Sequence, residues 1–271
     1  MPELPEVETT LRGIHPHLVG QKISRVTIRH FGLRWPIITH LAEKIENQRI
    51  QTATRRGKYL LLNLQTGTLI IHLGMSGSLR VLSHHETPKK HDHVDFCLSN
   101  HKILRFHDPR RFGAIIWTDD DPNLHPLLKK LGPEPFSKAF SATYLFDISR
   151  KRQISIKLFI MNHLIVVGVG NIYANEALFM AGIKPMKKAS KVTLGEYKKL
   201  VSAIKQVLKA AIKQGGSTLK NFLSSDGKPG YFTLHLKVYG RGNQACLKCK
   251  KNISAIRLGQ RSTFYCNFCQ K

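Results

Sequence analysis

Acidic residues are scarce in this chain. Seventeen Asp and Glu stand against 43 Lys and Arg in 271 residues, a formal net charge of +26. With a pI near 10.2, that imbalance points to a polyanionic partner, and nucleic acid leads because phosphate neutralisation supplies most of such affinity. Long apolar runs are also missing. No stretch reaches about 18 uninterrupted apolar residues, so no transmembrane span is expected. The N-terminus carries Glu3, Glu6 and Glu8 and lacks an apolar core segment, which argues against a secretory signal and for a cytoplasmic protein without structural disulfides. The basic residues do not gather on one lipid-facing helix, so a membrane surface is not the expected partner. There is no Walker motif, no internal repeat and no low-complexity tract. What is present suffices for real cores: 42% hydrophobic residues over a length that suits one large or two medium domains.

The opening Met1-Pro2-Glu3-Leu4-Pro5-Glu6 is the most informative stretch. Once Met1 is removed, a proline nitrogen becomes the chain terminus beside a carboxylate. A secondary amine and an aldehyde condense to an iminium that is cationic at any pH, an electron sink that favours elimination at the neighbouring carbon. A terminal amine titrates near 8, against about 10.4 for lysine, so part of it is unprotonated at neutral pH. Glu3 is close enough to move protons. The competing reading is a ragged start, as many termini are.

Val7, Leu11 and Ile14 fall at helical spacing and predict an N-terminal helix of about three turns. Short β-rich runs follow at Ile23–Arg29, Tyr59–Leu64, Thr68–Leu73, Leu79–Leu82, Val94–Leu98, Ile103–His107 and Ala114–Thr118, a pattern that suits an antiparallel sandwich or barrel. Asp119–Pro135 reads as a linker. Beyond it the pattern is helical. Thr193-x-x-Glu196 is a capping-box signature, an apolar face of Leu194, Tyr197, Val201, Ile204, Leu208 and Ile212 follows, and Gly215-Gly216 supplies the stop. Lys198, Lys205, Lys209 and Lys213 share another face, read as solvated rather than as a DNA groove contact.

Four of the five cysteines read Cys246-x2-Cys249, sixteen residues, then Cys266-x2-Cys269, the spacing of a closed tetrahedral zinc site. A four-thiolate site keeps no open position, so the metal is expected to be structural. Between the knuckles, Gly259-Gln260-Arg261-Ser262 predicts a hairpin tip with Arg261 as a basic finger. Cys97 reads as a small core residue. Gly168-Val169-Gly170-Asn171 lacks the third glycine of a dinucleotide fingerprint. It fits either a helix start that binds a phosphate through backbone N–H groups and Asn171 or a plain loop. Lys58 and Lys157 each precede an apolar run and could in principle form a Schiff base, although a lone lysine is usually a surface charge. His91-Asp92-His93 offers two metal ligands without a third, which favours phosphate contact or plain surface placement. Asp108-Pro109-Arg110-Arg111-Phe112-Gly113 puts cations beside an aromatic at a turn, the make-up of a wedge that enters a base stack.

Taken together, the opening, His72–Gly77, Lys90–His93, Asp108–Gly113, Gly168–Tyr173, Ser225–Gly230 and the cysteine quartet strongly resemble bacterial formamidopyrimidine-DNA glycosylase, the 8-oxoguanine repair family, over essentially the whole chain. The resemblance implies an α+β protein of two domains. An N-terminal antiparallel β-sandwich with flanking helices would occupy residues 1–120, with a linker at 121–135. A helix–two-turn–helix domain would follow at 136–235, then a zinc β-hairpin finger at 236–271, with DNA in a basic cleft. It implies a catalytic set of Pro2 as nucleophile, Glu3 as proton shuttle, Lys58 beside the lesion's sugar and phosphate, and Arg261 on the flanking phosphates. Glu6 would support the site. Met75, Arg110 and Phe112 would fill the gap left by the everted nucleotide. His91 and Asn171 would hold phosphates with Tyr173 nearby, and Lys157 with the loop Ser217–Tyr231 would belong to the damaged-base pocket. One structural Zn2+ per chain, duplex DNA containing oxidised purines or abasic sites as partner, and a monomer are implied as well. One departure is visible: Asn162-His163 stands where family members often carry an acidic residue followed by an amide, which would affect packing near the helix start. The alternatives are an endonuclease VIII-like enzyme for oxidised pyrimidines, a non-catalytic zinc-finger DNA-binding protein, and a glycosylase using Lys58 or Lys157 as nucleophile.

Overall fold

The structure is a computed structural model that describes residues 2–216 and 236–271. These divide into two compact units, one of residues 2–130 with 214–216 and one of residues 131–213 with 236–271. Among the described residues no helix is long and apolar enough to cross a membrane.

The first unit opens with α1, Leu4–Leu18. Glu3 is its N-cap, Pro5 sits in the first turn where its missing N–H costs nothing, and Glu6 places a carboxylate at the positive end of the helix. Leu4, Val7, Ile14 and Leu18 bury one face at helical spacing. The helix is a turn longer than its apolar spacing predicts and carries Pro16 within its last turn. Eight strands follow: β1 (Ile23–Ile28), β2 (Thr52–Arg56), β3 (Tyr59–Asn63), β4 (Thr68–His72), β5 (Ser78–Ser83), β6 (Asp92–Leu98), β7 (Lys102–His107) and β8 (Ala114–Thr118), with the short helix α2 (Leu41–Ile45) between β1 and β2. They form two four-stranded antiparallel sheets, ordered β1-β6-β7-β5 and β2-β3-β4-β8. Val94, Phe96, Leu104, Phe106 and Leu79 of the first sheet share one core with Leu60, Leu62, Leu69, Ile71 and Ile115 of the second, joined by Val7, Ile14 and Leu18 of α1. This is the expected sandwich. Truncating a ring such as Phe106 to alanine there costs about 3–5 kcal/mol.

The seven strands read from the sequence are all present, and β2 is the one without an apolar signal. Its burial alternates around Ala53 alone, between Thr52, Thr54 and two arginines, on a sheet edge. Cys97 is half-buried on β6 rather than a core residue, because the core-facing positions of that strand are Val94, Phe96 and Leu98.

The second unit carries α3 (Ala142–Ser149), α4 (Ile156–Met161), α5 (Asn171–Ala181), α6 (Leu194–Lys213) and the hairpin β9 (Ser254–Leu258) and β10 (Arg261–Tyr265). Three of these four helix starts are capped by side chains. Ser141 accepts from Tyr144 N–H and Ser155 from Leu158 N–H, while Thr193 and Glu196 exchange bonds as a capping box. α6 buries Tyr197, Val201, Ile204 and Leu208 and stops before Gly215 and Gly216, both at positive φ. Lys198, Lys209 and Lys213 are exposed, and Lys205 lies 5.9 Å over the Phe140 ring. Asn162 ends α4, and its side-chain oxygen accepts from Leu164 N–H in a local turn.

Candidate active site and nucleic-acid interface

Pro2 is buried immediately ahead of α1, and Glu3 and Glu6 are 4% and 0% exposed. The Glu6 carboxylate accepts the Glu3 N–H at 2.8 Å, which fixes the backbone on which Glu3 and its neighbour Pro2 sit. Gly216 presses on the same carboxylate. At φ +82 it has no side chain, and a Cβ there would lie 3.1 Å from Glu6 Oε1. Positive φ favours glycine at that position, and a Cβ would crowd Glu6 as well.

Lys58 stands at the β2–β3 turn, where Arg56 pairs with Tyr59 and Gly57 takes φ 59, as a two-residue hairpin requires at its first position. Arg55 ties this hairpin to α1 through Glu8 at 3.0 Å. Burial alone would raise the Glu8 carboxyl, but Arg55 and Arg12 outweigh it and hold it below the usual carboxylate range. Beside the turn is His72, whose ring packs on Tyr59 at 4.8 Å. Burial, then the charges of Lys58 and Arg34, push its pKa down to about 4. Gly74 N–H donates to His72 Nδ1 at 3.0 Å, so the neutral ring carries its proton on Nε2 and is a hydrogen-bond donor there. His72 opens the His72–Gly77 motif, but its residue type and spacing alone assign it no role. Arg34 carried no sequence signal at all.

Met75 and Phe112 are exposed, 38% and 44%, each at the tip of a loop whose base is buried. The Arg110 guanidinium stacks 4.7 Å over the Phe112 ring, a contact that holds both planar groups in one orientation. His91 takes φ 73 just before β6. Its loop is held from beneath: Asp92 accepts from Lys89 N–H, and the buried Arg105 donates to the carbonyls of Glu86 and Thr87 while gripping Asp95 by two bonds of 2.7 Å. Burial alone would raise the Asp95 carboxyl, but the guanidinium groups of Arg105 and Arg29 outweigh it. Asp92 is thus an ion-pair centre, bonded also to Arg80 and His107, rather than part of a His-Asp-His metal site.

In the second unit, α5 begins at Asn171 behind Gly170, as the glycine segment suggested for a helix start. One polar side of α5 docks the finger. Asn171 donates to Ser262 O (3.1 Å), Asn175 accepts from Phe264 N–H (2.8 Å), and Glu176 accepts from the N–H groups of Lys237, Val238 and Tyr239. Asn175 and Glu176 were missed by sequence reasoning, since buried polar groups on a mostly apolar helix leave no periodic trace. Arg261 is exposed at the start of β10, after Gly259 and Gln260 at φ 52 and 59, the paired left-handed residues of a tight hairpin turn. Two expected DNA-contacting side chains lie inside the unit in this structure. Lys157 is 0% exposed, and its ammonium donates to Ser262 O (2.9 Å) and Thr263 Oγ1 (2.6 Å), so it fastens the finger to α4. Tyr173 is 1% exposed and packs within the helical core. The loop 217–231, expected at the base pocket, lies outside the described residues.

The Sγ atoms of Cys246, Cys249, Cys266 and Cys269 all lie within 4.8 Å of one another. Cys249 and Cys266 stand 3.4 Å apart and Cys246 and Cys269 3.9 Å. Four thiolates about 2.3 Å from one ion would stand about 3.8 Å apart, so the donor set fits a tetrahedral metal. Among the described residues this is the one group of three or more His, Cys, Asp or Glu side chains placed to share an ion.

The structures therefore sort the candidate residues into two sets, Pro2, Glu3, Lys58, Met75, His91, Arg110 and Phe112 in one unit, and Lys157, Asn171, Tyr173, Arg261 and the cysteines in the other. Comparison with known proteins gives the family. The family model for the formamidopyrimidine-DNA glycosylase N-terminal domain matches residues 1–115, and that for the formamidopyrimidine-DNA glycosylase H2TH domain matches residues 131–223. The formamidopyrimidine-DNA glycosylase of Saccharophagus degradans is 55% identical over the full length of both chains, and that of Marinobacter nauticus 54%. Among solved structures, the MutM (Fpg) protein of Thermus thermophilus superposes with a TM-score of 0.88 at 36% identity, covering 99% of this chain and 98% of that one. A Lactococcus lactis Fpg mutant in complex with Fapy-dG-containing DNA superposes with a TM-score of 0.90 at 33% identity over all of both chains. The chain belongs to the formamidopyrimidine-DNA glycosylase family.

Proposed function

We propose that this chain excises oxidised purines (8-oxoguanine and formamidopyrimidines) from duplex DNA and then cleaves the abasic strand by β- and δ-elimination. One observation carries the reading: a proline directly follows the initiator residue, is buried at the head of α1, and is followed by two buried carboxylates of which Glu6 fixes the Glu3 backbone. A non-catalytic DNA binder has no use for that arrangement.

In this scheme the nucleotide is extruded, at a cost of a few kcal/mol for unstacking. Met75, Arg110 and Phe112 enter the vacated space and offset the cost. The Pro2 nitrogen attacks the sugar C1′, the damaged base leaves, and Glu3 delivers a proton as the ring opens to the iminium. Loss of a C2′ proton expels the 3′ phosphate, and a second elimination expels the 5′ phosphate, so the gap keeps phosphate ends. Lys58 and His72 Nε2–H donate to the sugar-phosphate of the lesion, and His91, Asn171 and Arg261 hold flanking phosphates. Lys157 acts through the hairpin it fastens rather than on the base. The four cysteines would hold one Zn2+ that rigidifies the finger and takes no part in bond breaking.

The test is a duplex carrying 8-oxoguanine opposite cytosine, run beside one carrying an oxidised pyrimidine. The reading expects faster excision of the purine and a one-nucleotide gap with phosphate at both ends. Preference for the pyrimidine would assign the chain to the endonuclease VIII-like alternative.

A further inference from the structure

Three groups assigned above to the DNA backbone and the vacated base stack come from separate segments: Met75 after β4, Arg110 and Phe112 after β7, and His91 before β6. One residue joins all three, the first two through its side chain and His91 through its backbone. Asp108 is 0% exposed. Its Oδ1 accepts from Ser76 Oγ (3.1 Å) and from Arg110 N–H (3.3 Å), and its Oδ2 accepts from Gly113 N–H (2.7 Å). Its backbone continues the link. Asp108 N–H donates to His91 O (3.0 Å), and Asp108 O accepts from Arg111 N–H (3.2 Å) and His93 Nε2 (2.8 Å). The residue next to Met75, the residue after Phe112 and the carbonyl of His91 therefore all close on one aspartate.

The packing around it is close. A Cβ on Gly74 would lie 2.5 Å from Phe112 C and Gly113 N, and Gly74 also sits at φ +64. A Cβ on Gly113 would meet Phe106 Cζ at 2.6 Å and His72 O at 2.8 Å. The two loops thus touch backbone to backbone, and the carboxylate spans the seam. A buried carboxylate is costly unless its lone pairs are filled, and here the donors that fill them are the loop bases themselves. Shifting either loop strands the charge.

We propose that Asp108 is a positioning residue that makes the two wedge loops and the His91 phosphate grip move into DNA as one rigid body, so that base eversion and phosphate clamping are coupled. This rests on the reading of the chain as a base-everting glycosylase. The prediction concerns insertion, not the bond-breaking step. Asp108→Ala frees the loops, and Ser76→Ala removes only the bond across the seam, leaving the bonds to Arg110 and Gly113.

The test places 2-aminopurine opposite the lesion, so that its fluorescence rises when the wedge unstacks it. Strand cleavage of a single-stranded abasic oligonucleotide, which has no opposing base, is measured in parallel. For Asp108→Ala the ratio of duplex excision to single-strand cleavage should fall about tenfold or more, the scale of a misplaced positioning group, with a slower and smaller fluorescence rise. Asp108→Asn, which keeps one acceptor oxygen, should lie between. If Asp108→Ala proves unfolded by thermal melting, Ser76→Ala must show the smaller rise on its own. A fluorescence rise and an excision ratio equal to wild type in a folded variant would overturn the proposal. Absence of any rise, excision or cleavage with the wild-type chain would instead sink the functional reading beneath it.

Discussion

His72 shows how far a single residue's surroundings determine its behaviour. Its pKa of about 4 in the folded chain lies below the ordinary 6.5. Between those values the unfolded chain takes up a proton that the folded one refuses. The stability it contributes is therefore complete above about pH 6.5 and is lost as pH falls towards 4. Thermal midpoints measured at pH 7 and pH 5 should drop less in His72→Gln than in the wild type. An unchanged drop would place the ring in a more polar setting than the structure shows. At the same scale, Glu3→Gln removes a proton donor and should slow base excision by about 10²–10⁴-fold while sparing cleavage of a preformed abasic site more. Equal retention of both activities would take Glu3 out of that role.

At the scale of elements, the finger is held by polar groups that the sequence does not advertise. Lys157 reads as a surface lysine or a Schiff-base candidate, because an isolated lysine before an apolar run carries no mark of its partner 106 residues later in the chain. The strands β1 and β3 to β8 were legible from alternation and turn residues. β2 was not, because its pairing with β3 holds it in place and only Ala53 enters the core. The wedge segment was legible as cations beside an aromatic, whereas the bond from Ser76 to Asp108 spans 32 residues and leaves no local pattern. Replacing Lys157 by Met removes its charged hydrogen bonds to Ser262 O and Thr263 Oγ1, each worth about 1.5–3 kcal/mol, and loosens the hairpin that presents Arg261. DNA affinity should fall, and the loss should not add to that of Arg261→Ala in a double-mutant cycle. Full additivity would mean that Lys157 acts independently of the hairpin.

For the whole molecule, the charge of +26 is the property most plainly written in the sequence, and phosphate contact is its physical use. Binding should weaken linearly in log salt, and Arg261→Gln should shallow the slope by about 0.9, one phosphate's worth of released counterion. An unaltered slope would remove Arg261 from the phosphate set. Stripping the metal from the four cysteines should unfold the finger and weaken DNA binding while releasing one zinc per chain. Undiminished affinity after confirmed metal loss would contradict a structural role for the ion. The chemistry itself rests on Pro2. Its most direct test is mass spectrometry of the chain trapped with borohydride on abasic DNA. The account predicts a chain lacking Met1 with the reduced sugar bound to the Pro2 nitrogen. A sugar found on Lys58 or another side chain, or strand cleavage without any trapped adduct, would contradict it.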